Sequence, residues 1–308
     1  MAPLHGITTA PLRNAFFRWF EGFDRAVAPF ITTVRAETVA LSHLRDILPE
    51  NNAGHVLIPQ VIGNSPGPIL QLAQACADLG YKEVNWNLGC PFPKVTAKRR
   101  GSGLLPHPER IVDIVDHVVP RLGCTFSLKL RLGLTCADEI LALLPGLEAF
   151  PLGPLTIHAR TGSRMYAGTV DLEAFEACLD RTSHRVIYNG DIDSIERFQD
   201  FHKRIGSRVS AWMIGRGGLR DPFLPAAIKG ASLPHRRERL YLLRGFHDQV
   251  YLSYSETLQG TAHILGKMKE LWRFMGASFH DGRRQVGRLC RATSRKRYEE
   301  LVNRVFEM

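Results

Sequence analysis

The chain has 308 residues, enough for one large domain plus a smaller one, or for two equal domains. Its 44% hydrophobic and 23% charged residues are ordinary for a globular protein, and no apolar run approaches the roughly 20 residues of a bilayer span. The net charge of +10 is uneven: residues 235–308 carry 15 Lys and Arg against 8 Asp and Glu, whereas residues 1–234 carry 25 against 22. A near-neutral body with a basic tail points to a polyanionic partner, nucleic acid first and a membrane surface second, against the plainer reading of a solvated face. The first residues show no basic segment followed by a long apolar one, so no signal peptide is expected. Six cysteines at 76, 90, 124, 136, 178 and 290 form no C-x-x-C pair, which weakens zinc and dithiol readings and suggests a reducing cytoplasm.

Short apolar runs follow one another along the chain, at Met1–Leu4, Ala26–Val34, His55–Ile62, Glu83–Leu88, Phe126–Leu132, Leu155–His158, Arg185–Asn189 and Ser210–Ile214. Between several of them the apolar residues recur at helical spacing, as in Ile69-Leu72-Ala73-Cys76-Ala77 and Ile111-Ile114-Val115-Val118-Val119. Gly80 and Gly123 stand where helix C-termini belong. Eight strands alternating with helices over about 230 residues predict an α/β fold, a (β/α)8 barrel. A doubly wound sheet is the alternative, without a G-x-G-x-x-G fingerprint after its first strand. Pro222–Pro234 reads as a linker, and beyond it strands stop. Leu240-Leu243-Phe246-His247-Val250-Tyr251-Tyr254 and Met268-Leu271-Trp272-Met275 have helical spacing. The expected organisation is therefore a barrel over residues 1–232 and a small helical bundle over 235–308.

A barrel's active site lies at the C-terminal ends of its strands. Those ends carry Pro3-Leu4-His5-Gly6, Gln60, Asn87 with Cys90, Lys129 with Arg131, His158 with Arg160, Asn189-Gly190-Asp191 and Gly215-Arg216-Gly217-Gly218. Polar residues at nearly every strand end are costly as core, because an unpaired buried polar group is penalised. In Asn87-Leu88-Gly89-Cys90-Pro91 the thiol sits between a glycine that frees the backbone and a proline that removes a donor. It is thus presented on a rigid turn, although most free cysteines are simply small buried apolar residues. Strand alternation in Ser127-Leu128-Lys129-Leu130-Arg131 sends Lys129 and Arg131 to one side. The two glycine-containing turns at the last strands can aim backbone N–H groups at an anion, with the Arg216 guanidinium adding charge-assisted bonds.

Taken in order, MAPLHGIT, PQVIGN, NWNLGCPFPKV, SLKLRLG, TIHART, YNGDI and MIGRGGLRDP resemble the tRNA-dihydrouridine synthase family of bacterial type, over nearly the whole chain. The resemblance implies an FMN-binding barrel followed by a helical RNA-binding domain, with tRNA as partner, NADPH as electron donor, no metal, a monomer and a cytoplasmic location. It puts Pro3, Leu4 and His5 along the flavin ring, Gln60 on its polar edge, Lys129 near N1/O2 and His158 beside the flavin or uracil. Asn189, Gly190, Asp191, Gly215 and Arg216 match the phosphate loops, and Cys90 matches the general acid. Hydride passes from flavin N5 to uracil C6 and C5 is protonated from the opposite face. A thiol with an ordinary pKa of about 8.5 stays protonated for that step. Asn87, Arg160 and Tyr166 are the candidates for contact with the base.

Base flipping costs a few kcal/mol, which backbone contacts must offset. Arg284, Arg288, Arg291 and Arg295 are spaced for one helical face, and Lys94, Lys98, Arg99 and Arg100 follow the thiol closely enough to hold RNA beside it. The chain departs from the family pattern in beginning directly on the first strand motif, in His5, in Trp86 and in the bulk of Phe92-Pro93-Lys94 beside Cys90. The competing readings are another FMN-barrel reductase acting on a small substrate, and a catalytically idle FMN- and RNA-binding barrel acting as a tRNA-folding factor.

Overall fold

The computed structural model describes residues 1–34, 38–52, 54–279 and 281–307. Among the described residues nine short strands form parallel ladders: β1 (Arg25–Val27), β2 (Ile31–Thr32), β3 (Val56–Ile58), β4 (Gln60–Ile62), β5 (Glu83–Leu88), β6 (Thr125–Gly133), β7 (Leu155–Thr161), β8 (Val186–Asn189) and β9 (Ala211–Met213). They are ladder pieces of seven barrel strands. Pro29 lies between β1 and β2, and Pro59 between β3 and β4; proline lacks the N–H that a ladder needs. Each pair otherwise continues the same course, with β1 on β3 and β2 on β4.

Met1–Leu4 is the eighth strand. It makes no regular ladder, yet Ala2 N–H donates to Ile214 O at 2.8 Å and Val27 N–H donates to Met1 O at 3.1 Å. The segment therefore bridges β9 to β1 and closes the sheet into a barrel, so the eight runs expected from the sequence are the eight staves observed. Closure removes the sheet edges that would otherwise present unpaired backbone.

Helices follow the strands on the outside: α1 (Ala10–Trp19), α2 (Pro66–Asp78), α3 (Pro93–Thr96), α4 (Pro108–Val118), α5 (Asp138–Leu147), α6 (Leu172–Leu179), α7 (Ile195–Ile205), α8 (Arg216–Arg220) and α9 (Leu224–Ile228). Of the expected periodic positions, Ile69, Leu72, Ala73 and Cys76 of α2 and Ile111, Ile114, Val115 and Val118 of α4 are the buried ones, whereas Ala77 and Val119 are half-buried. Gly80 adopts φ +92° after α2, the left-handed cap that glycine allows. The segment expected as a linker, Pro222–Pro234, contains α9. Its Leu224 and Pro225 are buried, because they pack under the barrel's last helix layer, so only the stretch after it is irregular.

Four helices complete the chain: α10 (Arg236–Thr257), α11 (Thr261–Met275), α12 (Gly282–Cys290) and α13 (Arg295–Phe306). Their core holds a polar relay. Trp272 Nε1–H donates to Tyr298 Oη at 2.9 Å, and Tyr298 Oη meets His247 Nε2 at 2.6 Å. Indole can only donate, so the tyrosine proton points to His247, whose Nδ1–H faces Asp248 at 2.8 Å. This half leans on the barrel through α1. Phe246 packs 6.0 Å from Phe16 and 5.2 Å from Phe20, and Trp19 donates to Gln249 at 2.7 Å. Gly245 lets the indole lie against the helix, since a Cβ there would fall 2.2 Å from the Trp19 ring. No helix among the described residues is long and apolar enough to cross a membrane.

Candidate active site

A cleft opens at the C-terminal ends of the strands. Its walls come from Pro3, Leu4 and His5 of the first stave, Asn87 and Cys90 after β5, and Lys129 and Arg131 of β6. His158 and Arg160 of β7, Asn189-Gly190-Asp191 after β8, and Gly215 and Arg216 after β9 complete them. The alternation expected on β6 holds: Leu128 and Leu130 are buried in the core, and Lys129 and Arg131 face the cleft.

Cys90 is 6% exposed. A chain of buried amides holds its turn. Asn85 donates to Ser127 Oγ, Gln60 Nε2 donates to Asn85 Oδ1 at 2.7 Å, and Asn87 Nδ2 donates to Gln60 Oε1 at 2.8 Å. Asn87 Oδ1 then accepts the backbone N–H groups of Gly89 and Cys90, at 3.1 and 2.8 Å. From the other side Ser102 donates both its N–H and its Oγ–H to Cys90 O, each at 3.1 Å. Gly101, at φ +56°, lies so close that a Cβ would come within 2.6 Å of Cys90 O. Burial pushes the Cys90 thiol above the usual cysteine range, despite the Phe92 N–H, Arg131 and Lys129 pulling the other way. The thiol is therefore a held proton rather than a thiolate nucleophile.

Across the cleft, Lys129 is 9% exposed, and its Nζ donates to Asn189 Oδ1 at 2.9 Å. Asn189 in turn donates to Met213 O. Burial, and then Arg131, bring the Lys129 ammonium down to about 7. Arg131, brought down to about 10 mainly by burial, clamps two loops: it donates to Gly89 O at 3.0 Å, Thr161 O at 2.8 Å and Met165 O at 2.7 Å. His158 is held well below its ordinary value, by burial first and then by Arg131 and Lys129, so the ring is neutral.

Several expected residues have protein partners of their own. Gln60 is fully buried behind the cleft wall; its amide donates to Asn85 and accepts from Asn87, so it supports the Cys90 turn. Asp191 is a carboxylate paired with Arg160 and, at 3.3 Å, with Arg216; it orients two guanidiniums, and only its backbone could serve an anion. Arg160 also donates to Gly168 O, leaving little of its fork for a base. Tyr166, 40% exposed, already has the Arg216 guanidinium 4.5 Å and that of Arg131 5.5 Å from its ring centre.

The tail arginines do not share one helix face. Arg284 and Arg288 lie on α12, Arg291 caps it, and Arg295 starts α13 behind the Ser294 N-cap, because Ser294 takes the Arg297 N–H and begins a new helix. Lys94, Lys98 and Arg99 are exposed on α3 and the turn after it, and Arg100 is half-buried. The sequence reading missed Phe30, Arg197 and Arg220 as wall residues; no local motif marks the first two, whereas Arg220 lies within MIGRGGLRDP. It also missed the supporting pair Gly101 and Ser102, which the run Gly101-Ser102-Gly103 just after the thiol could have signalled.

The wall suits an anionic ligand. Six cationic side chains, Lys129, Arg131, Arg160, Arg197, Arg216 and Arg220, face two carboxylates, Asp191 and Asp193. The buried Lys129 ammonium has one neutral acceptor, Asn189 Oδ1, and its lowered pKa records the missing counter-charge. Gly190 and Gly215 leave backbone bare at the last two strand ends. A closed barrel with a held proton facing such a wall defines a (β/α)8 enzyme.

The dihydrouridine synthase (Dus) family model matches residues 1–308, and the chain belongs to that family of oxidoreductases. It is 28% identical over 268 residues to a probable tRNA-dihydrouridine synthase of Rhodobacter capsulatus, covering 86% of this chain and 81% of that one. It is 31% identical over 233 residues to tRNA-dihydrouridine synthase B of Pseudomonas aeruginosa, covering 73% and 66%. Among solved structures, the old yellow enzyme from Trypanosoma cruzi superposes with a TM-score of 0.53 at 11% identity, over 80% of this chain and 88% of that one. Morphinone reductase in complex with tetrahydroNAD gives 0.52 at 13%, over 78% and 89%. These two share the barrel fold.

Proposed function

We propose that the protein reduces a uridine in tRNA to 5,6-dihydrouridine, using FMN and taking electrons from NADPH, with residues 1–232 as the catalytic barrel and residues 235–308 as the tRNA-binding unit. The observation that carries the reading is one cleft holding a buried protonated thiol and, opposite, a buried lysine without a counter-anion. When bound, FMN would supply a hydride from its N5 to uracil C6. Lys129 would hold the electron-rich N1/O2 edge, and the Gly190 and Gly215 turns with Arg216 would hold the phosphate. Pro3, Leu4 and His5 would lie along the ring.

Cys90 keeps the proton that uracil C5 needs, and the Asn87 and Ser102 bonds fix where it is delivered. Neutral His158 can bond a carbonyl without adding charge. The tRNA names of the relatives support the substrate, and the basic tail supplies phosphate contacts to offset unstacking. The test is Cys90→Ala in FMN-loaded protein, assayed on tRNA from cells lacking the gene, with position-resolved dihydrouridine mapping. Product formation should fall by a factor of about 10² to 10⁴, the usual weight of a general acid, with tRNA affinity retained. Undiminished product would remove Cys90 from the chemistry; no product even from the unaltered protein would favour the folding-factor reading.

A further inference from the structure

We propose that Phe92 is a stacking platform for the nucleobase next to the reacting uridine; this rests on the RNA-reductase reading above. Phe92 lines the cleft two residues past Cys90 and is 42% exposed, although a phenylalanine gains by burial. Its backbone is fixed as the N-cap of α3, where its carbonyl accepts the N–H groups of Val95 at 2.8 Å and Thr96 at 3.0 Å. The loop behind it is equally held. Asn64 donates to Lys98 O at 2.9 Å, Arg100 N–H returns to Val95 O, and Ser102 ties the same loop to Cys90 O. The ring is therefore presented in a set relation to the thiol and needs little ordering when a base arrives.

The opposite rim sharpens the contrast. Tyr166 has guanidiniums over its ring, whereas among the described residues Phe92 has no ring or cation partner. Lys94, Lys98 and Arg99 lie exposed on the same short loop, outside any ion pair among the described residues. An open aromatic face interleaved with unpaired cations is the chemistry that binds a single-stranded nucleic acid, the ring taking a base and the cations its phosphates. A uridine drawn into the cleft leaves its neighbours unstacked at the rim, where Phe92 stands. Aromatic stacking offsets part of that loss, and because every base has a π-face the platform accepts any neighbour.

The experiment uses FMN-loaded protein and a short single-stranded RNA with a central uridine flanked by 2-aminopurine. Stacking on Phe92 should quench the 2-aminopurine emission on binding in the unaltered protein and in Phe92→Tyr. Phe92→Leu, which keeps apolar bulk but no π-face, should lose the quench and bind about tenfold more weakly. On tRNA, Phe92→Leu should raise KM with kcat nearly kept, since Cys90 is untouched. A Phe92→Leu protein matching the unaltered one in quench, affinity and KM overturns the platform alone. An unaltered protein that binds neither this RNA nor tRNA overturns the RNA-reductase reading, and the platform with it.

Discussion

Lys129 shows how a single residue records what its cleft is for. Its ammonium has an ordinary value of 10.5 and falls to about 7 in the fold, chiefly by burial. Between those two values the unfolded chain holds the proton and the folded protein does not, so stability rises with pH through that window; below about 7 the burial penalty applies in full. Lys129→Met should therefore raise the melting temperature of the cofactor-free protein at pH 6, with the gain shrinking toward pH 10, as thermal melts across pH would show. An anionic ligand reverses the sign by restoring the charge, so FMN binding should take up a proton above pH 7, readable by calorimetry in buffers of different ionisation enthalpy. A gain in stability that does not vary with pH would refute the titration of Lys129. Lys129 stood out because an ammonium is the wrong type for a strand end that merely packs, and Cys90 because of the glycine and proline that flank it. The bonds of Gln60 to Asn85 and Asn87 were not legible, since they depend on side chains of the neighbouring strand.

At the scale of elements, the turn after β5 is a built unit of Asn87, Cys90, Gly101 and Ser102, closed by hydrogen bonds from both sides. Gly101 is strained for any other residue by its φ of +56° and by the 2.6 Å approach of its would-be Cβ to Cys90 O. Gly101→Ala should cost about 1–3 kcal/mol of stability by the usual price of such backbone strain, and should displace the thiol enough to depress turnover further than stability alone explains. Urea unfolding beside turnover on tRNA checks both; an alanine variant with native turnover would show the turn to be soft. Trp86, unusual within its motif, is packing: it is buried, stacked 6.1 Å from Phe126 and bonded to Gly63 O. The helix periodicities of α2 and α4 were readable because burial on one face repeats every 3.6 residues. The break between α12 and α13 was not readable from the arginine spacing, because four residues of cap and turn shift the rotational phase without disturbing the count.

For the molecule as a whole, the helical half and the cleft wall are physically joined. Lys267 of α11 donates to Gly6 O at 2.6 Å, and Tyr254 of α10 meets Thr9 Oγ1 at 2.9 Å, holding the loop that follows Pro3, Leu4 and His5. The basic surface of α12 and α13 lies apart from those contacts. Arg288→Ala with Arg291→Ala should therefore weaken tRNA binding and flatten its salt dependence by about one unit of logarithmic slope per lost phosphate contact, with FMN content unchanged. Binding titrations over a salt series give the slope, and an unaltered slope would move the RNA path elsewhere. The sequence by itself determined the eight staves, the outer helices, the basic tail and the residue types at the strand ends. Each of these is written in local periodicity, composition or motif, and each follows from burial repeating along one element. Only the tertiary structure decided that Met1–Leu4 closes the barrel, that Asp191 serves Arg160 and Arg216, that Gln60 stands behind Asn87, and that Phe92 stays open while Tyr166 is covered. Those outcomes depend on which side chains of different strands meet, and a hydrogen bond or a covered ring is settled by that meeting rather than by either residue's neighbours in the chain.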